Sequence, residues 1–485
     1  MTRPSRDVSR LTPEQRGRLE ERLRSRLEHR GTAIRRRGQA DAPLSFAQQR
    51  LWFLERLEPE AAAYNVVGAF RLSGRLDSDA LQRALAEIVR RHQALRTRYQ
   101  EIAGRPVQQV VAVDGVPFET CTPTVAPADR EEAIRQTAAR EVARPFDLTR
   151  GCLIRASLLR FAEEEHALVL CLHHIASDGW SVGVLLRELD ALYASFVAGQ
   201  ASPLPELPVQ YADFAAWQCE RLQGEELERQ LTYWRGRLAD RPGALELPAD
   251  HPRPRVQGFR GARRDLTLPP ALADAVRSFA RRQGATPFMV LLAAFHLLLG
   301  RYTGRQDVIV GSPVAGRTRS ELEGLIGFFV NMLALRVDLS GDPSVRELLA
   351  RVREAVVSSQ AHQELPFERL VEELECGRDI SRSPVFEVAF ALQNTPRARL
   401  RLGDLELLPV AVDTGTVRFD LECLVTESPT GFLVAMRYRT DLFEGGRIER
   451  MLGHYQRVVE EVVREPGQRV SRLSYVGEEE RRRVV

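Results

Sequence analysis

Residues 168–180, LVLCLHHIASDGW, constrain the fold of this chain more than any other stretch. An apolar run ends in two adjacent histidines, and a short polar loop with an aspartate and a glycine follows. From Ser181 onward the apolar residues recur at helical spacing. The pattern predicts a buried strand, a tight loop and a helix N-terminus. Because side chains on a strand alternate between its faces, His173 and His174 are expected to point in opposite directions.

This predicted divergence limits the chemistry of the histidine pair. Adjacent strand residues cannot easily chelate one ion, so the pair argues against a metal site. A single imidazole facing a cleft is suited to act as a base or as a hydrogen-bonding partner. The structural alternative is a core histidine beside an ordinary Asp-Gly turn. Two histidines, Asp178 and Gly179, all placed where a strand meets a helix, favour a functional role for His174.

Length and composition narrow the class of protein. A chain of 485 residues is too long for one simple core, so two or three compact units are expected. A net charge of +3 gives no case for nucleic acid, and no apolar run approaches a membrane span or a signal peptide. We therefore expect a cytoplasmic protein with reduced cysteines, since its six cysteines show no CxxC spacing. All 69 basic residues are arginine, which excludes lysine nucleophiles and Schiff bases.

The order of predicted elements suggests two α/β lobes with a cleft between them, because the strand–helix order of the first lobe restarts near residue 264. The predicted divisions are an N-terminal helix (11–31) and linker at 1–40, an N-terminal lobe with the HHxxxDG motif at 41–210, a C-terminal lobe at 211–465, and an exit linker towards a following domain at 466–485.

The spacing HHxxxDG resembles the signature of the condensation domains of non-ribosomal peptide synthetases, which is shared with the wider chloramphenicol acetyltransferase-like acyltransferases. Other segments are similar to the remaining family motifs and occur in the family's order: LSFAQQRLWFL, RHQALRTRY, YADFAAW, IGFFVNMLALR, HQELPFERL and RDISRSPVFEVAFALQN. The departures, such as Met332 and Glu364, lie outside the catalytic motif. The resemblance implies an α/β fold of two chloramphenicol acetyltransferase-like lobes, forming a V-shaped pseudo-dimer with a tunnel between them.

The resemblance also implies a reaction and its partners. The family joins a donor aminoacyl or peptidyl thioester to the amine of an acceptor aminoacyl thioester. Both substrates are delivered on the 4′-phosphopantetheine arms of carrier proteins, and the domain itself is expected to bind no metal and no cofactor. The implied partners are an upstream donor and a downstream acceptor peptidyl carrier protein, with an adenylation domain following. The excised domain is expected to be a monomer, and its motifs look closest to the subtype that accepts a donor ending in an L-residue.

The resemblance carries residue roles with it. His174 would be catalytic, either as a base or by positioning the amine and shuttling a proton, and His173 would support the site. Asp178 would pair with an arginine, Arg317 being the first choice and Arg336 the second. Gly179 would allow close approach of the substrate arm or help an oxyanion at the helix N-terminus, its alternative being a turn glycine. The candidate tunnel residues are Ser45, Trp180 and Asn331.

Four other functions remain possible on the sequence alone. The chain could be an epimerisation domain, a starter domain that accepts a lipid donor, a coenzyme A-dependent acyltransferase, or a non-catalytic recruitment module. The intact His174 and Asp178 argue against the recruitment module, and donor profiling would separate the starter subtype.

Overall fold

The computed structural model describes residues 33–38, 41–57, 64–374, 379, 381–393, 401–428, 431–477 and 482. The predicted N-terminal helix at 11–31 lies outside the described residues. Residues 478–481 and 483–485 of the predicted exit linker (466–485) also lie outside them, whereas its first part is not a linker, because Val470 and Leu473 are buried in the second core.

The elements largely follow the hydrophobic periodicity. The helices in the described chain are α1 (Phe46–Leu57), α2 (Ser78–Arg91), α3 (Arg130–Ala143), α4 (Gly179–Val197), α5 (Tyr211–Arg221), α6 (Gly224–Leu238), α7 (Pro270–Arg282), α8 (Pro287–Thr303), α9 (Val345–Ala361), α10 (Phe367–Glu373) and α11 (Gly445–Arg464). The strands are β1 (Asp41–Pro43), β2 (Asn65–Ser73), β3 (Thr97–Ile102), β4 (Arg105–Val110), β5 (Phe118–Cys121), β6 (Ile154–Ala162), β7 (Glu165–His173), β8 (Gly261–Thr267), β9 (Asp307–Val314), β10 (Asn331–Asp338), β11 (Val388–Gln393), β12 (Arg401–Leu402), β13 (Leu405–Val410), β14 (Leu421–Ser428) and β15 (Gly431–Arg439).

Two six-stranded sheets organise the two lobes. The first lobe is built on the order β12-β13-β2-β7-β6-β5, and the second on β10-β9-β11-β14-β15-β8. A separate three-stranded sheet, β1-β4-β3, covers part of the first lobe. Strand β7 lies between β2 and β6, and its residues from His166 to His173 are buried. Because both faces of β7 are buried, its sequence is a nearly continuous apolar run rather than an alternation of apolar and polar residues.

Helix α8 is the central helix of the second core. The Thr286 hydroxyl caps it by accepting a hydrogen bond from the Met289 N–H at 3.3 Å, and Gly304 ends it in the left-handed conformation (φ 68°). It is apolar on nearly every side because it is buried on nearly every side. Among the described residues, no single helix is long and apolar enough to cross a membrane; α7 and α8, which bend by 106° relative to each other, pass that test only as a pair.

The lobes do not follow the predicted boundary between residues 210 and 211. Tyr211 and Phe214 of α5 belong to the first core, although they begin the predicted C-terminal lobe. Strand β13 also joins the first sheet, where Leu407 pairs with Leu72 of β2. This pairing covers an edge of β2 that would otherwise be open. The chain therefore returns to the first lobe after building most of the second.

The segment that joins β9 to β10, residues 315–330, also packs against the first lobe. Five of its apolar residues are buried in the first core: Leu322, Leu325, Ile326, Phe328 and Phe329. Gly316 allows the segment to turn, since its φ is +64° and a Cβ there would lie 1.9 Å from the Phe329 carbonyl oxygen. This connecting segment brings parts of the second half of the chain against the HHxxxDG loop.

Candidate active site around His174

His174 begins a short 3₁₀ turn, His174–Ala176, directly after β7. Its Nδ1 lies 2.8 Å from the carbonyl oxygen of Ser177. A carbonyl oxygen can only accept, so Nδ1 carries the hydrogen and Nε2 of the neutral ring keeps its lone pair. The ring packs edge-on against Phe328, with the centroids 4.7 Å apart. The local fold therefore fixes both the orientation and the tautomer of this imidazole.

The surroundings of His174 disfavour its protonation. Burial lowers the pKa of His174 to about 3, and the positive charge of Arg418 and the neighbouring His173 ring act in the same direction. The side chain nevertheless keeps some accessible surface. The ring is therefore largely enclosed by protein but still reachable. Near neutral pH it is uncharged, and its Nε2 can accept a hydrogen bond.

His173 has different neighbours from His174. It is 1% exposed, and its ring meets Phe146 edge-on. Its Nδ1 accepts the Ile175 N–H at 3.1 Å, so Nε2 carries the hydrogen, and it lies 3.7 Å from the Glu55 carboxylate. These contacts give His173 a supporting place in the core behind the loop.

Asp178 caps α4 and binds the connecting segment. One carboxylate oxygen, Oδ1, accepts the Ser181 N–H at 2.8 Å, which explains why the helix begins at Gly179 rather than at Ser181. The other, Oδ2, accepts the Phe329 N–H at 3.0 Å. Asp178 is 3% exposed. Its carboxylate points away from solvent and holds the loop that carries His174.

Arg317 is the arginine that pairs with Asp178. Its Nη2 lies 3.3 Å from Asp178 Oδ1, and its side chain is 1% exposed. Its Nη1 donates to the carbonyl oxygens of Leu322 and Leu325, and its guanidinium lies over the Phe329 ring at 4.1 Å. A planar group with several donors is needed to make these contacts together.

The second choice, Arg336, is wrong as a partner of Asp178. Arg336 lies on β10, at the edge of the second sheet, and its Nη2 pairs with Asp307 of the neighbouring β9 at 2.6 Å. Its remaining donors bind the Arg237 and Asp240 carbonyls. Both arginines lie in or near family motifs, and the sequence alone does not show that Arg336 pairs at the edge of a sheet whereas Arg317 forms the buried pair.

Gly179 is exposed at the first turn of α4, and a Cβ placed on it would meet no atom within 4 Å. The φ angle of Gly179 is not in the left-handed region, so the backbone conformation of the protein without substrate does not require a glycine at this position. Next to it, Trp180 is 45% exposed and donates its indole N–H to the Glu323 carbonyl at 2.9 Å. Trp180 therefore ties α4 to the connecting segment, and Gly179 leaves open space beside the loop.

A chain of hydroxyl groups reaches the back of the site. Tyr211 donates to the Phe328 carbonyl at 2.6 Å, so the Ser45 hydroxyl, 2.8 Å away, must donate to Tyr211. Since Phe328 packs against His174, this chain supports the position of the imidazole. The sequence motifs contained Tyr211 and Phe328, but nothing in their spacing showed that they meet.

Phe328 also lines a cleft of about 570 Å³ that is partly open to solvent. Ser45, Asn331 and Glu368 are among its lining residues, so two of the three candidate tunnel residues border it. Asn331 is also an anchor: its amide donates to the Gln363 and Leu365 carbonyls at 2.9 and 2.7 Å. Trp180 is not among the lining residues.

The comparisons with known proteins agree with this architecture. The family model described as "Condensation domain" matches residues 38–485. A linear gramicidin synthase of Brevibacillus parabrevis is 46% identical over 446 residues, which is 91% of this chain. The chain spans only 6% of the length of that protein.

Solved structures give the same result. The X-domain in the complex of the X-domain and OxyB from teicoplanin biosynthesis is 30% identical with a TM-score of 0.82, covering 92% of this chain and 98% of that one. The first condensation domain of the calcium-dependent antibiotic synthetase, in complex with a substrate analogue, is 25% identical with a TM-score of 0.76, covering 90% and 100%. The predicted α/β fold of two chloramphenicol acetyltransferase-like lobes is confirmed. The chain belongs to the condensation-domain family of the non-ribosomal peptide synthetases.

Proposed function

We propose that this chain forms a peptide bond between a donor aminoacyl or peptidyl thioester and the amine of an acceptor aminoacyl thioester. In chemical terms it is an amide-forming acyltransferase. The observation that carries the proposal is the uncharged His174, whose Nδ1 is bound to Ser177 and whose Nε2 is left to accept a hydrogen. An imidazole held this way accepts a hydrogen bond from the attacking amine, and because its lowered pKa makes it a weak base, it relays the amine proton to the leaving group rather than retaining it.

The steps follow from that geometry. The acceptor nitrogen attacks the thioester carbonyl, and His174 Nε2 orients the amine and takes its proton as the tetrahedral intermediate forms. The carbon–sulfur bond then breaks, and the proton passes to the departing thiolate. Because an α-amino group has a pKa of about 8, a fraction of the acceptor is already neutral near pH 7. Orientation of the two bound substrates supplies much of the acceleration.

Gly179 has two functions in this proposal. The open space beside it admits the thin phosphopantetheine arm close to the backbone. Its N–H, at the N-terminus of α4, is favourably placed by the helix dipole for negative charge that develops on the carbonyl oxygen. Asp178 and Arg317 hold the loop without touching substrate.

Carrier proteins are the partners in this proposal. An upstream donor carrier and a downstream acceptor carrier deliver the substrates, and an adenylation domain follows in the synthetase. We further propose that the domain works in the cytoplasm, is monomeric when excised, and prefers a donor that ends in an L-residue.

The test is a condensation assay with donor and acceptor carriers that are loaded with simple aminoacyl groups. Intact-protein mass spectrometry would follow the product on the acceptor carrier. Wild type should produce dipeptide, and His174→Ala should lose at least about a hundredfold in rate, in the range of general acid–base catalysis. His362→Ala is the matched control, because that ring stacks on Tyr233 at 3.9 Å in the second lobe.

The possible outcomes of this assay distinguish between the candidate functions. Equal rates for wild type and His174→Ala would contradict the role of His174. Exchange of the α-proton on a single carrier without bond formation would favour epimerisation, and turnover of lipid donors alone would favour the starter subtype. Product from coenzyme A thioesters without carriers would indicate a free acyltransferase.

A recruitment module is the second candidate function. The similarity to an X-domain that was solved in complex with OxyB favours it. In that case, wild type would bind carrier or partner protein without forming dipeptide from any donor and acceptor pair. Carrier-binding measurements run beside the assay decide between the two candidates.

A further inference from the structure

Arg418 lies in a loop that passes from one lobe to the other. Residues 411–420 leave β13 in the first sheet and enter β14 in the second. The loop is held firmly on both sides of Arg418: Val417 is buried and donates its N–H to the Phe259 carbonyl at 2.9 Å, and Phe419 packs on Phe386. The Arg418 N–H itself donates to Glu422 at 2.9 Å. This backbone is anchored, so the direction of the Arg418 side chain is determined by the fold.

The Arg418 guanidinium faces the HHxxxDG loop. It stands 5.7 Å from the ring centroid of Tyr64, which directly precedes β2. The antiparallel register pairs Asn65, the residue after Tyr64, with His173, the residue before His174. The charge is near enough to His174 to rank second among the causes that keep its imidazole uncharged. A residue of the second half of the chain thus reaches the reacting end of the first lobe.

This guanidinium has no strong anionic partner. Among the described residues, no carboxylate lies within 4.0 Å of it and no side-chain hydrogen bond leaves it, although most arginines near it are paired. Glu422 and Tyr64 attract it from a greater distance, and Arg50 and Arg437 repel it. Arg418 is an exposed residue, so its charge is open to a molecule that approaches the HHxxxDG loop.

We propose that Arg418 is a positioning residue that acts through its field: its unpaired charge holds the acceptor amine in the uncharged, nucleophilic form beside His174. This inference rests on the proposed function. A cation disfavours a second cation nearby, so an acceptor whose amine is protonated is destabilised in the cleft relative to its free-base form. The ammonium proton is lost to solvent on binding. The remaining amine lone pair forms the carbon–nitrogen bond, and its second proton leaves with the thiolate through His174.

One variant that removes the Arg418 charge and one that keeps it test the effect of this charge on the reaction. Single-turnover condensation would be measured from about pH 6 to about pH 9, on either side of the α-amino pKa. For Arg418→Gln we expect a loss of about tenfold at the acid end that disappears at the alkaline end, where the amine is free without help. Arg418→Lys should follow wild type, because the charge is kept. Arg75→Gln is the matched control, since Arg75 is 78% exposed beyond the far end of β2.

The effect of the Arg418 charge on His174 can also be measured without catalysis. In protein labelled with ¹³C-histidine, Arg418→Glu should move the titration of His174 upward toward neutral pH, with the resonance assigned through His174→Gln. An unchanged His174 titration would overturn the inference, as would a loss in Arg418→Gln that is the same at every pH. A loss confined to acceptors with acidic side chains would assign Arg418 to side-chain recognition instead. If wild type makes no dipeptide at any pH, the proposed function fails while the His174 titration still decides whether the field exists.

Discussion

The Asp178 carboxylate, at the N-terminus of α4, and the Arg317 guanidinium, in the connecting segment, meet at 3.3 Å with both side chains almost fully buried. They are 139 residues apart in the chain. The pair joins the HHxxxDG loop to the part of the chain that carries Phe328, which packs against His174. It therefore holds the two walls of the site in one arrangement.

Replacing Asp178 by asparagine should destabilise the protein strongly. The substitution leaves the buried Arg317 without its counter-charge, and breaking a buried pair from one side costs about 3 kcal/mol or more. The measurement is the free energy of unfolding from urea titration. Asp307→Asn is the control, because the Asp307–Arg336 pair is partly exposed and should change stability by less than about 1 kcal/mol. Equal losses for the two variants would contradict the structural role given to Asp178.

Gly179→Leu should fold normally and condense poorly. A Cβ at this position meets no protein atom, so stability should stay within about 1 kcal/mol of wild type. The added side chain would fill the space assigned to the substrate arm, and we expect at least about a tenfold loss in rate. Gly453→Leu, at an exposed helical glycine of α11 that is equally free of contacts, should leave the rate unchanged. A fully active Gly179→Leu would remove the glycine from the substrate path.

Tyr211→Phe should lower both stability and rate. It removes the hydroxyl that bridges Ser45 and the Phe328 carbonyl, and a lost buried hydrogen bond costs about 1–2 kcal/mol. Tyr455→Phe is the matched variant, since Tyr455 donates to the Leu291 carbonyl at 2.9 Å in the second core. Both should lower the thermal midpoint, and only Tyr211→Phe should slow dipeptide formation. A rate loss in Tyr455→Phe of the same size would show that the effect is merely one of stability.

His174 should make the protein acid-sensitive. Its pKa is lowered in the folded state, to about 3, whereas an unfolded histidine titrates near 6.5. The unfolded chain therefore binds a proton first, and stability falls as the pH drops below about 6.5. Between pH 7 and pH 5 this group should account for at most about 2 kcal/mol of the loss. His174→Gln should flatten the curve of unfolding free energy against pH in that range, and a curve as steep as wild type would assign the acid sensitivity to other groups.

Features that depend on neighbouring residues could be predicted from the sequence. The strand ending at His173, the helix after Asp178 and the capped helix from Pro287 are each specified within about twenty residues by apolar periodicity and a capping side chain. The two histidines have different neighbours, as predicted, but His174 lies in the 3₁₀ turn that follows the strand rather than on the strand itself. The tautomer of His174 also depends on a local contact, but only the turn geometry shows that Ser177 supplies it.

Features that depend on distant pairings could not be predicted in this way. Nothing local to Arg336 or Arg317 says which of them reaches Asp178, because the answer lies in how residues 315–330 pack on the first core. The same holds for Arg418, which meets Tyr64 across some 350 residues of chain. The domain boundary failed for this reason too, since the pairing of β13 with β2 has no signal within either strand.

The return of β12 and β13 to the first sheet has a practical consequence for rebuilding such proteins. A chimera joined between the lobes at residue 210 would separate β2 from the strand that completes its sheet, and it would leave Tyr211 and the connecting segment on the wrong parent. Such a hybrid would have to recreate three interfaces at once from sequences that did not evolve together. The unit that can be exchanged between members of this family is therefore the whole of residues 33–477, because Ile34 is also buried in the first core. Single substitutions along the cleft would disturb fewer of these contacts than trading halves.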